Sequence, residues 1–124
     1  MGVTIEREKG NLRVLRITGL LRKSDLDAAL AAEANQWEPT THVKVLVMVE
    51  DFKGLERGAD WGDLTFFETQ GDRIDKIAIV ADSKWELETL AFSGAGFRHG
   101  PVKFFPLSQL TMARAWLGKD SGRG

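Results

Sequence analysis

The sequence contains no cysteine, which excludes disulfide bonds, thiolate metal sites and cysteine nucleophiles together. This composition is typical of a reducing compartment, so we expect a cytoplasmic protein. The sequence also lacks an excess of positive or negative charge, because its 17 basic and 18 acidic residues leave a formal net charge of −1. No basic surface for nucleic acid or for an anionic membrane is therefore predicted, and partners have to be recognised by their shape.

Long apolar runs are lacking as well. The longest one, from Val43 to Val49, is interrupted by Lys44 and is far shorter than the roughly 20 residues that cross a bilayer. No charged leader followed by an apolar core opens the chain, so we expect a soluble protein. The 124 residues are enough for one core, and we predict a single domain over residues 1–118 with a flexible tail over residues 119–124.

Apolar periodicity predicts an α/β fold with the element order β-β-α-β-α-β-α-β-α. Five segments have the pattern of strands: Val3 to Arg7, Leu12 to Thr18, Val43 to Val49, Lys76 to Ala81 and Val102 to Phe105. Lys9, Gly10 and Asn11 join the first two segments as an antiparallel hairpin. The next two are apolar at nearly every position, which is typical of strands covered on both faces.

Four segments have the spacing of helices that bury one side: Ser24 to Trp37, about Trp61 to Gln70, Ser83 to Gly94, and Ser108 to Leu117. Ser24, Ser83 and Ser108 are predicted to open their helices as N-terminal caps. Alternation of strand and helix favours parallel pairing. We therefore predict a mixed five-stranded sheet, made of a hairpin and three parallel β-α units, flanked by four helices.

The loop from Glu50 to Trp61 follows the central strand, at the edge where open α/β sheets usually bind their ligands. Glu50 and Asp51 could meet Asp82, which follows the next parallel strand, and such carboxylates can hold Mg²⁺. A nearby lysine would supply a counter-ion, for which the sequence offers Lys53 and Lys84. The alternative is that these acids are solvated and cap helices, because helix N-termini favour negative charge. The second interpretation predicts no metal and no cofactor.

Other catalytic patterns are weak. The two histidines, His42 and His99, have neither metal-ligand spacing nor a nucleophilic serine motif beside them, and surface hydrogen bonding is the simpler interpretation. The glycines from Gly94 to Phe97 follow a helix and lack the lysine of a phosphate-binding loop. We therefore predict that the protein is not an enzyme.

Aromatic residues are more numerous than a thin core requires. Wide helical faces could bury them all, or some could line a pocket or a partner surface. We predict that a partner or ligand surface includes Asp51, Phe52, Leu55, Arg57, Trp61 and Phe66. We also predict that an apolar pocket is lined by Trp85, Phe92 and Phe97.

Four segments carry a resemblance to a known family: NLRVLRITGLL, VKVLVMVEDFKG, KIAIVADSKW and VKFFPLSQLTMARAWL. In this order they resemble the SpoIIAA-like branch of the STAS fold, whose relatives are often labelled STAS/SEC14-domain proteins. The resemblance extends from about Val3 to Leu117. It implies a small mixed sheet flanked by helices, which anti-sigma-factor antagonists and sulfate-transporter tails use as a protein-interaction module.

The resemblance also implies a place for a regulatory turn. In the antagonists a serine in a DSSG-like motif is phosphorylated where the helix after the central strand begins. The corresponding residues here, Leu55 to Asp60, include no hydroxyl group. The nearest one, on Thr65, is expected inside the helix, so we predict no phosphate switch at this turn.

These features predict a non-catalytic STAS-like protein-interaction or regulatory module that lacks the phosphorylatable serine. Its partner would be another protein or a second copy of the chain, which would give a homo-oligomer. The alternative is a small SEC14-like carrier or sensor of a lipid or other apolar ligand. A metal-dependent enzyme that uses Glu50, Asp51 and Asp82 is the third class. Nucleic acid and integral membrane association are not predicted.

Overall fold

Five strands and three helices form the part of the protein that the computed structural model describes, residues 2–38, 40–61, 73–92 and 101–118. The strands are β1 (Val3–Glu8), β2 (Leu12–Leu21), β3 (Val43–Leu55), β4 (Ile74–Ala81) and β5 (Val102–Pro106). The helices are α1 (Lys23–Ala34), α2 (Glu86–Phe92) and α3 (Leu110–Gly118). The predicted helix from about Trp61 to Gln70 lies outside the described residues from residue 62 onward, as do residues 119–124 of the predicted tail.

The strands follow one another across the sheet in chain order, β1-β2-β3-β4-β5. β1 and β2 are antiparallel, and the pairs β2-β3, β3-β4 and β4-β5 are parallel. The predicted α/β class and mixed five-stranded sheet are confirmed. The hairpin turn has the predicted chemistry, because Gly10 and Asn11 adopt φ values of 75° and 60°, which glycine and asparagine tolerate best.

Each face of the sheet carries its own hydrophobic cluster. On one face, α1 and α2 pack with Leu26, Leu30 and Leu90 against a cluster that includes Ile17 and Ile79. On the other face, α3 packs over the second cluster, which comprises Val14, Leu46, Met48, Ala78, Val80, Phe105, Ala113 and Leu117. β3 and β4 contribute to both clusters, which explains why their sequences are apolar at nearly every position.

β3 is longer than its apolar run predicts. The strand was expected to end at Val49, but it continues to Leu55 and pairs there with β2 alone. Two register shifts interrupt this pairing, so that Gly19 aligns with Phe52 and Leu20 with Gly54, while Asp51 and Lys53 are passed over. Such bulges break the alternation of apolar and polar residues, which is why the segment has the composition of a loop.

The predicted serine caps are wrong at all three helices. α1 begins at Lys23 after Arg22, which makes no side-chain cap, and Glu56 instead accepts a hydrogen bond from the Lys23 backbone N–H at 3.0 Å. Ser83 lies within the 3-10 turn that leads into α2, where Asp82 is the capping residue. Ser108 lies in another 3-10 turn, Leu107–Gln109, before α3. At α1, a carboxylate from another part of the chain thus satisfies one of the N–H groups that the helix start leaves unpaired.

A buried ion pair holds α1 against β2. The Nε atom of Arg13 donates to Oε2 of Glu33, and the exposed fractions of the two residues are only 8% each. The indole Nε1 of Trp37 donates to the same carboxylate oxygen at 3.0 Å, and Arg7 Nε lies 3.6 Å from it. Burial by itself raises the pKa of Glu33, but the hydrogen bonds from Arg13 and Trp37, together with the charges of Arg13 and Arg7, hold it below its ordinary value.

This depressed pKa makes stability depend on acid in a definite direction. Because the folded protein binds the proton of Glu33 less readily than the unfolded chain, the contribution of Glu33 is complete above the ordinary pKa of 4.5 and is lost as pH falls through the folded value. Urea unfolding at several pH values from neutral to about pH 3 measures this effect. We expect the free energy of unfolding of the wild type to exceed that of Glu33→Gln at neutral pH, and the difference to decrease as the pH falls. The exposed Glu38→Gln variant is the control, and a Glu33→Gln deficit independent of pH would contradict the assignment.

A second buried charge joins β4 to the end of α3. Lys76 is 3% exposed, and its Nζ atom donates to the backbone carbonyl of Trp116 at 2.7 Å and lies 4.8 Å from the centroid of the Trp116 ring. A cation at a helix C-terminus interacts favourably with the carbonyl groups that the helix leaves unpaired. Lys76 therefore fixes α3 on its face of the sheet.

Candidate functional site

A cleft opens where β3 and β4 separate. Their pairing ends at Met48 and Val80, after which β3 continues along β2 while β4 ends at Ala81 and turns into the 3-10 segment Ser83–Trp85. The space between them is a cavity of about 290 Å³. We call it the carboxyl-edge cleft, because it lies at the carboxyl ends of parallel strands, where open α/β sheets bind ligands.

The floor of the cleft is apolar. Val49 and Phe52 are buried, and Leu107 contributes from the segment after β5. The ring of Phe52 meets that of Trp85 edge to face, with centroids 4.9 Å apart and an angle of 87° between the planes. This arrangement is favourable for two aromatic quadrupoles and fixes the orientation of both rings.

The rim of the cleft is charged, with both signs present. Asp51 and Lys53 contribute from the bulged part of β3, and Asp82 and Lys84 from the turn after β4, and all four are exposed. Asp82 Oδ1 accepts a hydrogen bond from the backbone N–H of Lys84 at 3.0 Å. The Nζ atom of Lys84 lies 5.7 Å from the Trp85 ring centroid, within the range of a cation–π interaction.

Glu56 fixes the chain immediately after β3. Its backbone N–H donates to the carbonyl of Leu21 at 2.9 Å, its side chain accepts from Lys23 N as described above, and its carbonyl accepts from Trp61 Nε1 at 2.9 Å. Two of these hydrogen bonds tie the turn to the end of β2 and the start of α1, and the third ties it to Trp61. In the antagonists that the sequence resembles, this turn is the phosphorylated switch. Here Glu56 holds it in place through its own hydrogen bonds.

Exposed apolar side chains gather at the same edge of the sheet. In the described part of the chain, four large apolar residues are exposed: Leu20 (43%), Leu87 (81%), Leu107 (46%) and Met112 (57%). Leu20 lies near the end of β2, Leu87 follows β4, Leu107 follows β5, and Met112 lies in the first turn of α3. These four residues, which we call the apolar rim, lie toward the carboxyl edge of the sheet, Leu87 with α2 on one face and Met112 with α3 on the other.

The structure brings together residues that the sequence assigned to two separate sites. Asp51 and Phe52 from the predicted partner surface meet Trp85 from the predicted pocket in one cleft. Two residues of the predicted partner surface, Leu55 and Trp61, are half-buried and pack against the core; Arg57 is exposed in the turn. Phe66 and Phe97 lie outside the described residues. Phe92 ends α2, and its side chain also lies outside the described part.

Sequence reasoning missed two lining residues, Val49 and Leu107. Val49 had been counted only as core. Leu107 follows the last strand directly, and its position at a strand end was the signal that could have identified it.

The predicted acidic cluster takes the helix-capping form at Asp82, which caps the 3-10 turn after β4. Glu50 instead lies 4.0 Å from Arg16 Nη1 on the exposed surface. Among residues 2–38, 40–61, 73–92 and 101–118, no group of three or more acids and histidines is placed to hold a metal ion. The ring of His42 contacts exposed Asp75 at 3.0 Å, and His99 lies outside the described residues.

No helix in the described part of the chain is long and apolar enough to cross a membrane.

Comparison with known proteins gives one sequence family and one fold. The SpoIIAA-like family profile matches residues 12–118. The chain is similar to the crystal structure of an uncharacterized protein of the DUF3478 family with a SpoIIAA-like fold, from Shewanella loihica PV-4. The two share 23% identity over 94% of this chain and 92% of the other, with a TM-score of 0.65. At that identity the likeness shows the fold alone. No curated protein matches the sequence.

Proposed function

Because the chain belongs to the SpoIIAA-like family, we propose that it is a non-catalytic interaction module that recognises a protein partner with the carboxyl edge of its sheet. The observation that carries this proposal is the apolar rim. Large exposed apolar groups toward one edge of a protein can mark a contact surface. One of them, Leu107, also lines the cleft together with half-buried Trp85, and aromatic residues contribute strongly to protein interfaces.

Regulation of this surface does not use phosphate at the turn after β3. Residues 55–60 contain no hydroxyl group, and Glu56 is already bonded to β2, α1 and Trp61. A rigid turn presents its neighbours in one orientation, which lowers the entropic cost of binding. The module would therefore be competent to bind without prior modification.

Site-specific photocrosslinking in cells tests the surface directly. A photoreactive phenylalanine analogue placed at Leu87 or Leu107 is expected to form adducts with one partner, because both positions lie on the apolar rim. The same group at exposed Lys9, in the turn that precedes β2, is the control for the opposite edge. Equal adduct formation at all three positions, or none at Leu87 and Leu107, would contradict the proposal.

A second copy of the chain is one form that the partner can take. Light scattering over a wide concentration range would then show a dimer whose dissociation constant rises at least about tenfold in Leu107→Asp, since a buried unpaired carboxylate opposes association. A strict monomer that still forms adducts at Leu87 would identify a different protein as the partner.

The cleft supports a second candidate, a carrier or sensor of a small apolar ligand. Its volume of about 290 Å³ is at the lower end of small-molecule sites, which are mostly apolar with a few polar groups. Native mass spectrometry of protein purified from cells would detect a bound ligand. If none copurifies and no fatty acid or phospholipid raises the melting temperature, this candidate fails, because a ligand at a hundred times its Kd stabilises the folded state by about 2.7 kcal/mol.

A further inference from the structure

We propose that the carboxyl-edge cleft binds a small zwitterion with an apolar side chain, of the chemical class of a free amino acid. The inference rests on the proposed function in one respect only, which is that the carboxyl edge of the sheet is the recognition surface. It is carried by three features of the cleft: its size, the distribution of its charges and the backbone of one rim residue.

Size and floor select the apolar part of the ligand. The volume of about 290 Å³ is small for a lipid chain and sufficient for a compact molecule. Half-buried Trp85, whose ring orientation is fixed by its edge-to-face contact with buried Phe52, and exposed Leu107 offer the apolar surface of the lining. A single aromatic or aliphatic side chain can pack against these two residues, and the gain grows with the apolar area removed from water.

The rim selects the polar part. Asp51 and Asp82 supply two negative charges, and Lys53 and Lys84 supply two positive charges, around one opening. A ligand with a single charge would be attracted by two of these side chains and repelled by the two of its own sign. A ligand that carries an ammonium and a carboxylate group close together can satisfy both signs at once, and this complementarity gives specificity.

The backbone of Asp51 gives an independent indication. Asp51 has φ of 50°, in the left-handed region, and lies where the pairing of β3 with β2 is shifted. Bulges of this kind turn a side chain in a new direction and are enriched beside binding sites. Rarely adopted backbone conformations also gather at ligand sites. The bulge thus presents the Asp51 carboxylate at the opening of the cleft.

Titration of ¹⁵N-labelled full-length protein with L-phenylalanine tests the inference. We expect shifts confined to the backbone signals of residues 49–53 and 82–85. 3-Phenylpropionate lacks the ammonium group and phenethylamine lacks the carboxylate, and each should bind at least about tenfold more weakly than phenylalanine.

Variants reverse the preference between the two analogues. Asp51→Asn should weaken phenylalanine and improve 3-phenylpropionate, whereas Lys53→Met combined with Lys84→Met should weaken phenylalanine and improve phenethylamine. Asp75→Asn, which removes an acid near the start of β4 that contacts His42, is the matched control and should leave the binding of all three compounds unchanged. Because the variants alter exposed residues, loss of folding does not confuse the result, and this is checked by the dispersion of the same spectra.

Absence of cleft shifts at about 10 mM phenylalanine, or equal binding of all three compounds, would overturn the inference. The outcome is separable from that of the proposed function. Adducts at Leu87 and Leu107 without phenylalanine binding would reject only the ligand class. Phenylalanine binding without adducts would retain the ligand and reject the protein partner.

Discussion

Arg13→Ala is expected to lower the free energy of unfolding by about 3–5 kcal/mol, because it leaves the Glu33 carboxylate buried without its principal partner. Arg13 and Glu33 are each 8% exposed, and Trp37 and Arg7 are the other groups described at this carboxylate. One indole hydrogen bond and one more distant guanidinium compensate only part of the lost charge. Urea or guanidinium unfolding at neutral pH measures the effect.

A double variant distinguishes the effect of an unpaired charge from the effect of lost side-chain volume. In Arg13→Leu with Glu33→Leu, both charges are removed and apolar groups occupy the space, which is often neutral or stabilising. We therefore expect the double variant to be more stable than Arg13→Leu alone. The reverse order, or a cost for Arg13→Ala below about 1 kcal/mol, would show that the pair behaves as a surface ion pair.

Gly54→Ala is expected to cost about 1–3 kcal/mol and to disturb the carboxyl-edge cleft as well. Gly54 lies in the second bulge of β3 with φ of 106°, a conformation that side chains rarely adopt. Space is not the difficulty, since an added Cβ would lie 3.7 Å from Trp85 Cη2, an ordinary contact. The strain is therefore in the backbone, and relief of it would move β3 where it forms the cleft.

Gly118→Ala is the matched control for this variant. Gly118 ends α3 without a positive φ and has open space around the position of a Cβ, so the substitution should change stability little. Thermal unfolding compares the two variants, and the signals of Phe52 and Trp85 report on the cleft. A Gly54→Ala protein as stable as Gly118→Ala, with unchanged cleft signals, would show that the bulge tolerates side chains.

The sheet was predictable because its signals are local. Alternation identified β1 and β2, continuous apolar runs identified β3 and β4, and the residues at the hairpin turn predicted the antiparallel start. The end of β3 was not predictable, because the two bulges depend on how β2 pairs with it. The cap at Ser24 failed for the same reason, since Glu56 reaches the start of α1 from a distant part of the chain. At Ser83 and Ser108 a local 3-10 turn precedes the helix instead.

The buried charges were missed although one signal was present. Arg13 lies on the same face of β2 as Leu15 and Ile17, and Glu33 lies on the buried side of α1 with Leu26 and Leu30, so each stands among core residues. Polar residues are usually assigned to the surface unless a partner is known, and the partner here is 20 residues away. Pairing two inward-facing opposite charges would have predicted the contact.

The candidate site was predictable only in fragments. Asp51, Phe52 and Trp85 were singled out from the sequence, but they were divided between a surface and a pocket. Their meeting depends on the separation of β3 from β4 after Met48 and Val80, which is a property of strand length and not of either segment alone. Leu107 joins them from a third strand end. The partner surface and the pocket therefore became one site only when strand lengths were known.

The order of the strands has a consequence for synthesis of the protein. Each strand of the sheet pairs with the strand that precedes it in the chain, so every strand that leaves the ribosome meets a neighbour that is already available. Only the hairpin contacts are local, because each parallel pair joins residues that are a whole strand-helix unit apart, as Leu12 and Lys44 are. Parallel pairing of this kind slows folding. The hairpin of β1 and β2 would form first and serve as the template for the parallel strands. Growth in one direction adds each strand at the same side, while the outer edge of β1 stays open. A partly made sheet therefore has two edges that can pair with other nascent chains.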